Sequence, residues 1–205
     1  QAYNQQTTDQ IISTSRGTIY DSTGKTLAIS TPTDTVTINP KKIVGSNDEE
    51  TKAKKEKVAK AFSEIFELDY NETLEKVNST SNVQTIAKKV DKDKIDKLKQ
   101  WMETEKISTG INIDEDTKRV YPYNNLASNL IGFCGTDNTG IQGIEDSWNS
   151  VLQGTPGKIT TSTDAIQEEI PDSNQTYIPA ENGSDIVLTI DYYIQTVLEK
   201  YLKQA

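Results

Sequence analysis

Apolar side chains are scarce in this chain. Leu, Ile, Val and Phe supply 45 of its 205 residues, only just above the roughly 20% below which a highly charged sequence buries too little surface to fold. The core must therefore be thin or divided, and the length suits one large domain or two small ones. The missing residue types constrain chemistry as strongly. With no histidine, the commonest general base, the Ser-His-Asp triad and the commonest metal ligand are all absent. Cys134 is the single cysteine, so an internal disulfide and any CxxC site are excluded. A net charge of −9 disfavours a nucleic-acid partner, which calls for clustered base.

Two compositional skews matter. Of 22 basic residues only Arg16 and Arg119 are Arg, and Arg is preferred where a planar fork must grip a carboxylate or carbonyl. Those two positions attract attention before any motif is read. The excess of Lys over Arg and of Ile over Leu points to an AT-rich, Clostridium-like bacterial source.

The texture changes along the chain. No apolar run reaches the roughly 18 residues of a membrane span, and no signal-peptide pattern opens the sequence. Residues 1–15 read as an extended lead-in. Thr18–Tyr20 and Thr26–Ile29 flank Asp21-Ser22-Thr23-Gly24, which predicts a β-hairpin, and residues 34–39 predict another strand ended by Pro40. Residues 41–106 read as a small Lys-rich helical insert. One helix starts at Asn47-Asp48-Glu49-Glu50 and buries Val58, Phe62, Ile65 and Phe66. A second starts near Asn71 and buries Leu74 and Val77, and a third after Asp91 buries Ile95, Leu98, Trp101 and Met102. Short strands are expected at 110–113 and 119–123, then glycine-dense turns over 126–158. Strand and exposed loop should occupy 159–180. Asp185–Ile190 predicts a buried strand and 191–203 a helix through Ile194, Val197, Leu198, Tyr201 and Leu202.

The motifs that suggest chemistry are weak. Ser22 and Lys25 have Ser-Xaa-Xaa-Lys spacing, but chance supplies roughly 1.5 such pairs in a chain this rich in Ser and Lys. Ser22 also falls in a predicted turn rather than at the start of a buried helix, and no Ser-Asp-Asn or Lys-Thr-Gly partner occurs. Lys25 is accordingly read as solvated. Gly154-Thr-Pro-Gly157-Lys158 lacks the first glycine and the final hydroxyl residue of a phosphate loop, and Gly135, Gly140 and Gly143 lack dinucleotide spacing. Asp91, Asp93 and Asp96 fit a helix cap better than a calcium loop. Glu168, Glu169 and Asp114–Asp116 read as solvated acidic runs, and Cys134 as a small buried hydrophobe.

Taken together, the non-catalytic motifs resemble the class B penicillin-binding proteins. Arg16-Gly17-Xaa-Ile19-Xaa-Asp21-Xaa-Xaa-Gly24-Xaa-Xaa-Leu27-Ala28 resembles the segment just outside the membrane anchor of that family. Arg119-Xaa-Tyr121-Pro122, with Leu126-Ala127 and Leu130-Ile131-Gly132, is similar to the next block. Gly140-Xaa-Xaa-Gly143-Ile144-Glu145, with Leu152-Xaa-Gly154-Xaa-Xaa-Gly157, is similar to the third. Asp185–Asp191 with Gln195 and Glu199 resembles the opening of the penicillin-binding domain. The blocks stand in family order over residues 16–205. One departure is Asp21-Ser22, where the family usually has Asp-Arg. A second is that the sequence stops before the family's Ser-Xaa-Xaa-Lys nucleophile.

The resemblance implies an α+β fold, an elongated β-rich body with the helical lobe at 41–106. It implies a juxtamembrane lead-in at 1–15, a pedestal or dimerisation domain at 16–183, and the first strand and helix of a transpeptidase domain at 184–205. Such a module is not itself an enzyme, and no catalytic, cofactor or metal residue is expected in it. Its role would be to hold a D,D-transpeptidase domain at the extracytoplasmic face of the membrane, anchored by a preceding helix. Expected partners are its own transpeptidase domain, a membrane glycosyltransferase, division or sporulation proteins, and a second copy in a homodimer. The junction residues would be Arg16, Gly17, Asp21, Gly24, Arg119, Tyr121, Pro122, Gly140, Gly143 and Glu145, with Glu145 accepting a charge-assisted pair from Arg16 or Arg119. The competing reading, a secreted ligand-binding or adhesive domain, predicts a deep aromatic-lined pocket.

Overall fold

A computed structural model describes residues 6–163 and 176–204. The chain divides into two compact units, one formed by residues 1–31 and 117–205, the other by Pro32–Asp116. The fold is α+β, and each unit has its own core, so the small apolar content is divided between two clusters.

In the first unit, β1 (Gln6–Ile12) is followed by β2 (Ile19–Tyr20) and the start of β3 (Thr26–Ile38). β2 and β3 form the expected hairpin, with Ile19 opposite Ala28 and Tyr20 opposite Thr26. Gly24 supplies the turn's positive φ of +85°, a conformation other residues adopt only with strain. The two strands predicted at 26–29 and 34–39 are one 13-residue strand. Exposed Pro32 falls between the stretch that pairs β2 and the stretch from Asp34 to Ile38 that pairs the next antiparallel strand, so its missing N–H interrupts neither ladder.

The second unit holds α1 (Asp48–Phe66), α2 (Tyr70–Asn78), β4 (Gln84–Val90), α3 (Lys92–Glu105) and most of β5 (Ile111–Val120). The Asn47 side chain accepts from Glu50 N at the start of α1, and Asp69 does the same for Glu72 N in α2, the caps expected of those residue types. Val58, Phe62 and Phe66 from α1, Val77 from α2 and Ile95 and Leu98 from α3 pack with Val36, Ile38 and Ile86 of the strands. β4, antiparallel to β3, is a strand inside a stretch read as purely helical. The short strands expected at 110–113 and 119–123 are the single β5. Asp114 and Asp116, read as solvated, accept from the Thr37 and Thr35 hydroxyls.

The chain then returns to the first unit with three short helices, α4 (Ser128–Ile131), α5 (Gly143–Ser147) and α6 (Asn149–Leu152). β6 (Gly157–Thr163) lies between β1 and β7 (Thr176–Ile178) in an antiparallel three-stranded sheet. The loop predicted around 164–175, with Glu168 and Glu169, lies outside the described residues. β8 (Ile186–Val187) pairs parallel to β2 and precedes α7 (Tyr192–Leu202). The strand predicted as buried over 185–190 is instead an edge: only two residues pair, and Val187 is 68% exposed. Its free side has no strand beside it among the described residues.

Candidate functional site

The chain's only two arginines converge on one carboxylate. Arg16, in the segment entering β2, donates through Nε to Glu145 Oε2 at 2.6 Å, and Arg119, at the end of β5, donates through Nε to Glu145 Oε1 at 2.7 Å. Glu145 is fully buried and Arg16 is 3% exposed. Each guanidinium also holds backbone. Arg16 Nη2 donates to Glu145 O at 2.6 Å, its Nη1 to Asn149 Oδ1 at 2.7 Å and Asn138 O at 3.2 Å, and Arg119 Nη1 donates to Gly17 O at 2.7 Å. Segments more than 100 residues apart are thereby tied at one point. Charge-assisted bonds are the strong class, and removing one partner of a buried pair leaves an uncompensated charge.

The local sequence explains why the carboxylate can sit there. Glu145 lies in the first turn of α5, behind Gly143. A Cβ on Gly140 would fall 1.9 Å from the Glu145 carbonyl oxygen, the same oxygen that Arg16 Nη2 grips. Only glycine permits that approach. Tyr121 Oη donates to Glu145 Oε1 at 3.2 Å and in turn accepts from Cys134 N.

The ten junction residues expected from sequence fall into two groups. Arg16, Arg119 and Tyr121 donate to the Glu145 carboxylate, Gly17 O accepts from Arg119, Gly140 lies against the Glu145 carbonyl and Gly143 opens its helix. Asp21, Gly24 and Pro122 lie elsewhere: Asp21 and Gly24 are in the hairpin turn, and Pro122 lines a cleft of about 670 Å³ beside α7. Asp21 is fully buried and bridges the turn to the start of α7, accepting from Thr23 N, Lys25 N and Tyr192 N. Glu199, noted in the sequence only as part of the fourth family block, accepts from Ala127 N through Oε1 at 2.7 Å, whereas sequence reasoning misses Asn138, Asn149 and Tyr192 altogether. Polar residues of these types are common on any surface, and nothing in their spacing marks them. Two expectations are corrected. Cys134 is half-buried rather than buried, bridged strand-like to Gly140 with exposed Phe133 beside it. Lys25 is not simply solvated, because its Nζ lies 4.6 and 4.7 Å from the Tyr192 and Tyr193 ring centroids.

The electrostatics fit a structural tie rather than a reactive centre. Burial acts to raise the Glu145 pKa, but the Arg119 and Arg16 guanidiniums outweigh it and hold the carboxyl below its usual range. Burial and the nearby Glu145 charge push Cys134 up to about 11 and raise Tyr121 well above the ordinary phenol range. Neither is deprotonated at neutral pH, so neither is poised as nucleophile or base. Among the described residues no cluster of His, Cys, Asp and Glu is set to hold a metal ion. The cleft beside α7 mixes Tyr123, Leu126 and Tyr192 with Asn124, Thr196, Glu199 and Lys200, so charged and amide groups share its wall with two tyrosine rings.

These shifts fix an acid dependence. Burial opposes ionisation of Asp21, yet the donors from Tyr192, Lys25 and Thr23 lower its pKa from 3.8 to about 2. Both Asp21 and Glu145 therefore have folded values below their unfolded ones, and their stabilisation is complete above about pH 5 and lost progressively as pH falls toward 2. In a Trp101→Phe background, Trp148 emission should hold down to about pH 5 and report unfolding between there and pH 2. A folded first unit at pH 2 would contradict these assignments.

The penicillin-binding protein dimerisation domain family matches residues 11–188. Peptidoglycan D,D-transpeptidase FtsI of Buchnera aphidicola subsp. Schizaphis graminum is 33% identical over 192 residues, covering 93% of this chain and 32% of that protein. Stage V sporulation protein D of Bacillus subtilis is 27% identical over 190 residues, covering 93% of this chain and 28% of that protein. Among solved structures, the complex between penicillin-binding protein PBP2 and MreC from Helicobacter pylori is similar with a TM-score of 0.70 at 20% identity, covering 97% of this chain and 39% of that one. Penicillin Binding Protein 2X from Streptococcus thermophilus is similar with a TM-score of 0.65 at 21% identity, covering 96% and 31%. At those identities the structural likeness speaks for the fold alone. The chain spans about a third of the length of the curated relatives it matches.

Proposed function

We propose, because the chain belongs to the penicillin-binding protein dimerisation domain family, that it is the non-catalytic pedestal module of a peptidoglycan D,D-transpeptidase. It holds the catalytic domain in place and meets other proteins of cell-wall synthesis, in division or in sporulation. The observation that carries this reading is α7. Ile194, Val197, Leu198, Tyr201 and Leu202 are each more than half exposed, although their spacing is that of a packed helix face. An apolar face of that extent on one helix is a surface to be covered, and its cover on this reading is the transpeptidase domain that residues 184–205 open. Residues 1–15 are then the juxtamembrane lead-in and 16–183 the pedestal, with Arg16, Arg119 and Glu145 its internal junction.

The name of the Bacillus subtilis relative supports sporulation as one setting, and division is the other on this reading. The Helicobacter pylori protein of the same fold is in a complex with MreC, and this chain too meets protein partners on this reading. A membrane glycosyltransferase and a second copy of the chain are further partners on this reading. The module works at the extracytoplasmic face, anchored by a preceding helix. Within the described residues no helix is long and apolar enough to cross a membrane.

Fluorescent penicillin tests the proposal. The gene product that continues past Ala205 should take a covalent label that unlabelled penicillin competes away, and the 205-residue chain should take none. Labelling of the chain, or no labelling of the longer product, would overturn it.

A further inference from the structure

We infer that Asp21 is a positioning residue that docks α7 onto the body through Oδ2, which also accepts from the Thr23 hydroxyl at 3.0 Å, while Oδ1 holds the backbone of the hairpin turn. Asp21 Oδ1 accepts from Thr23 N and Lys25 N, both at 2.8 Å, and so fixes the turn. Asp21 Oδ2 accepts from Tyr192 N at 2.9 Å, the first N–H of α7. That bond is not needed to form the helix. The N-cap Asp191 already accepts from Tyr193 N and Ile194 N, which is what a capped helix start requires. What the Asp21 bond adds is attachment, and it is assisted by the charge and by the partial positive end of the helix.

The attachment matters because, among the described residues, α7 is held lightly. None of its residues is buried. Its other contacts among the described residues include the Lys25 ammonium over the Tyr192 and Tyr193 rings, the Tyr192 ring 4.4 Å from that of Tyr123, and Glu199 accepting from Ala127 N near the other end. A helix held by two carboxylates and a few ring contacts opens more readily than one held by a core. Asp21 and Glu199 therefore set where α7 lies, and through it where anything that follows α7 begins. That last clause rests on the proposed function; the docking itself does not.

Amide hydrogen exchange on the 205-residue chain at neutral pH tests it. Asp21→Asn keeps one oxygen for the turn but presents an NH2 group to Tyr192 N. Exchange over 192–202 should rise about tenfold or more, while amides of the turn and of β2, β3 and α4–α6 keep their wild-type rates. Asp21→Ala, which removes both oxygens, should also expose the turn. Unchanged exchange in α7 for Asp21→Asn would overturn the inference. So would a parallel rise across the whole unit, since that is the mark of a merely structural residue. Should Asp21→Asn fail to fold, Glu199→Gln decides: faster exchange confined to α7 and Ala127 supports the docking model, and wild-type rates overturn it. The penicillin experiment is independent, so failure of either reading leaves the other standing.

Discussion

Glu145→Ala should destabilise the first unit by roughly 3–5 kcal/mol, the cost of stranding buried charge. Glu145 is fully buried and neutralises two guanidiniums through separate oxygens, Oε2 to Arg16 and Oε1 to Arg119. Truncation leaves both cations facing one another in a water-poor site, with Tyr121 Oη deprived of its acceptor as well. Glu145→Gln should cost less than Ala but clearly more than a surface change, because it keeps one acceptor and turns an NH2 group toward the other guanidinium. Urea unfolding followed by Trp148 emission, in the Trp101→Phe background, measures both. Trp148 caps the end of α5, the helix that carries Glu145. A loss below about 1 kcal/mol for Glu145→Ala would mean that the cluster is dispensable.

Phe62→Ala should have a comparable effect in the second unit, roughly 3–5 kcal/mol. The ring is fully buried on α1, stands 5.9 Å from that of Phe66, and lies in the cluster shared by α1, α2, α3 and the strands. Phe62 is fully enclosed by that cluster, so its loss removes buried contacts and leaves a cavity that its neighbours fill only in part. Trp101 sits at the edge of the same cluster. Its emission in a Trp148→Phe background reports the change. A cost near 1 kcal/mol would show that the core relaxes around the loss.

How much of this was legible in the sequence depends on how local the determining interaction is. The helices α1, α2, α3 and α7 could be read because a cap-type residue and a 3.6-residue apolar stripe lie within each segment, although Asp91, expected to cap α3, makes no side-chain cap hydrogen bond there. β4 was missed because Lys88 and Lys89 carry the texture of the helical lobe, and Lys89 at φ +53° breaks the alternation that marks a strand. β3 and β5 were each read as shorter or separate pieces. Pro32, and the acids Asp114 and Asp116, argue locally against strand, whereas in the fold those acids accept from the Thr37 and Thr35 hydroxyls of β3 and Asp116 also meets Lys89 Nζ at 3.8 Å.

The site shows the same division. Arg16 and Arg119 stood out because Lys serves everywhere else, and Glu145 because glycines flank it. The other contributors did not stand out. Asn138 and Asn149 are ordinary until the fold brings Arg16 to them, and Asp21 reads as a turn residue although its second oxygen reaches Tyr192, far along the chain. Long-range partners of common residue types leave no local trace, whereas rare residue types do.

The tie through Glu145 is the claim on which the account of the first unit depends, and a double-mutant cycle between Arg16 and Glu145 tests it most directly. Arg16→Ala, Glu145→Ala and the double variant are unfolded in urea and compared with the parent. The account predicts that once Glu145 is gone, removing Arg16 relieves an unpaired charge, so the two losses fall short of additivity by roughly 2–3 kcal/mol. Losses that add to within about 0.5 kcal/mol would contradict it.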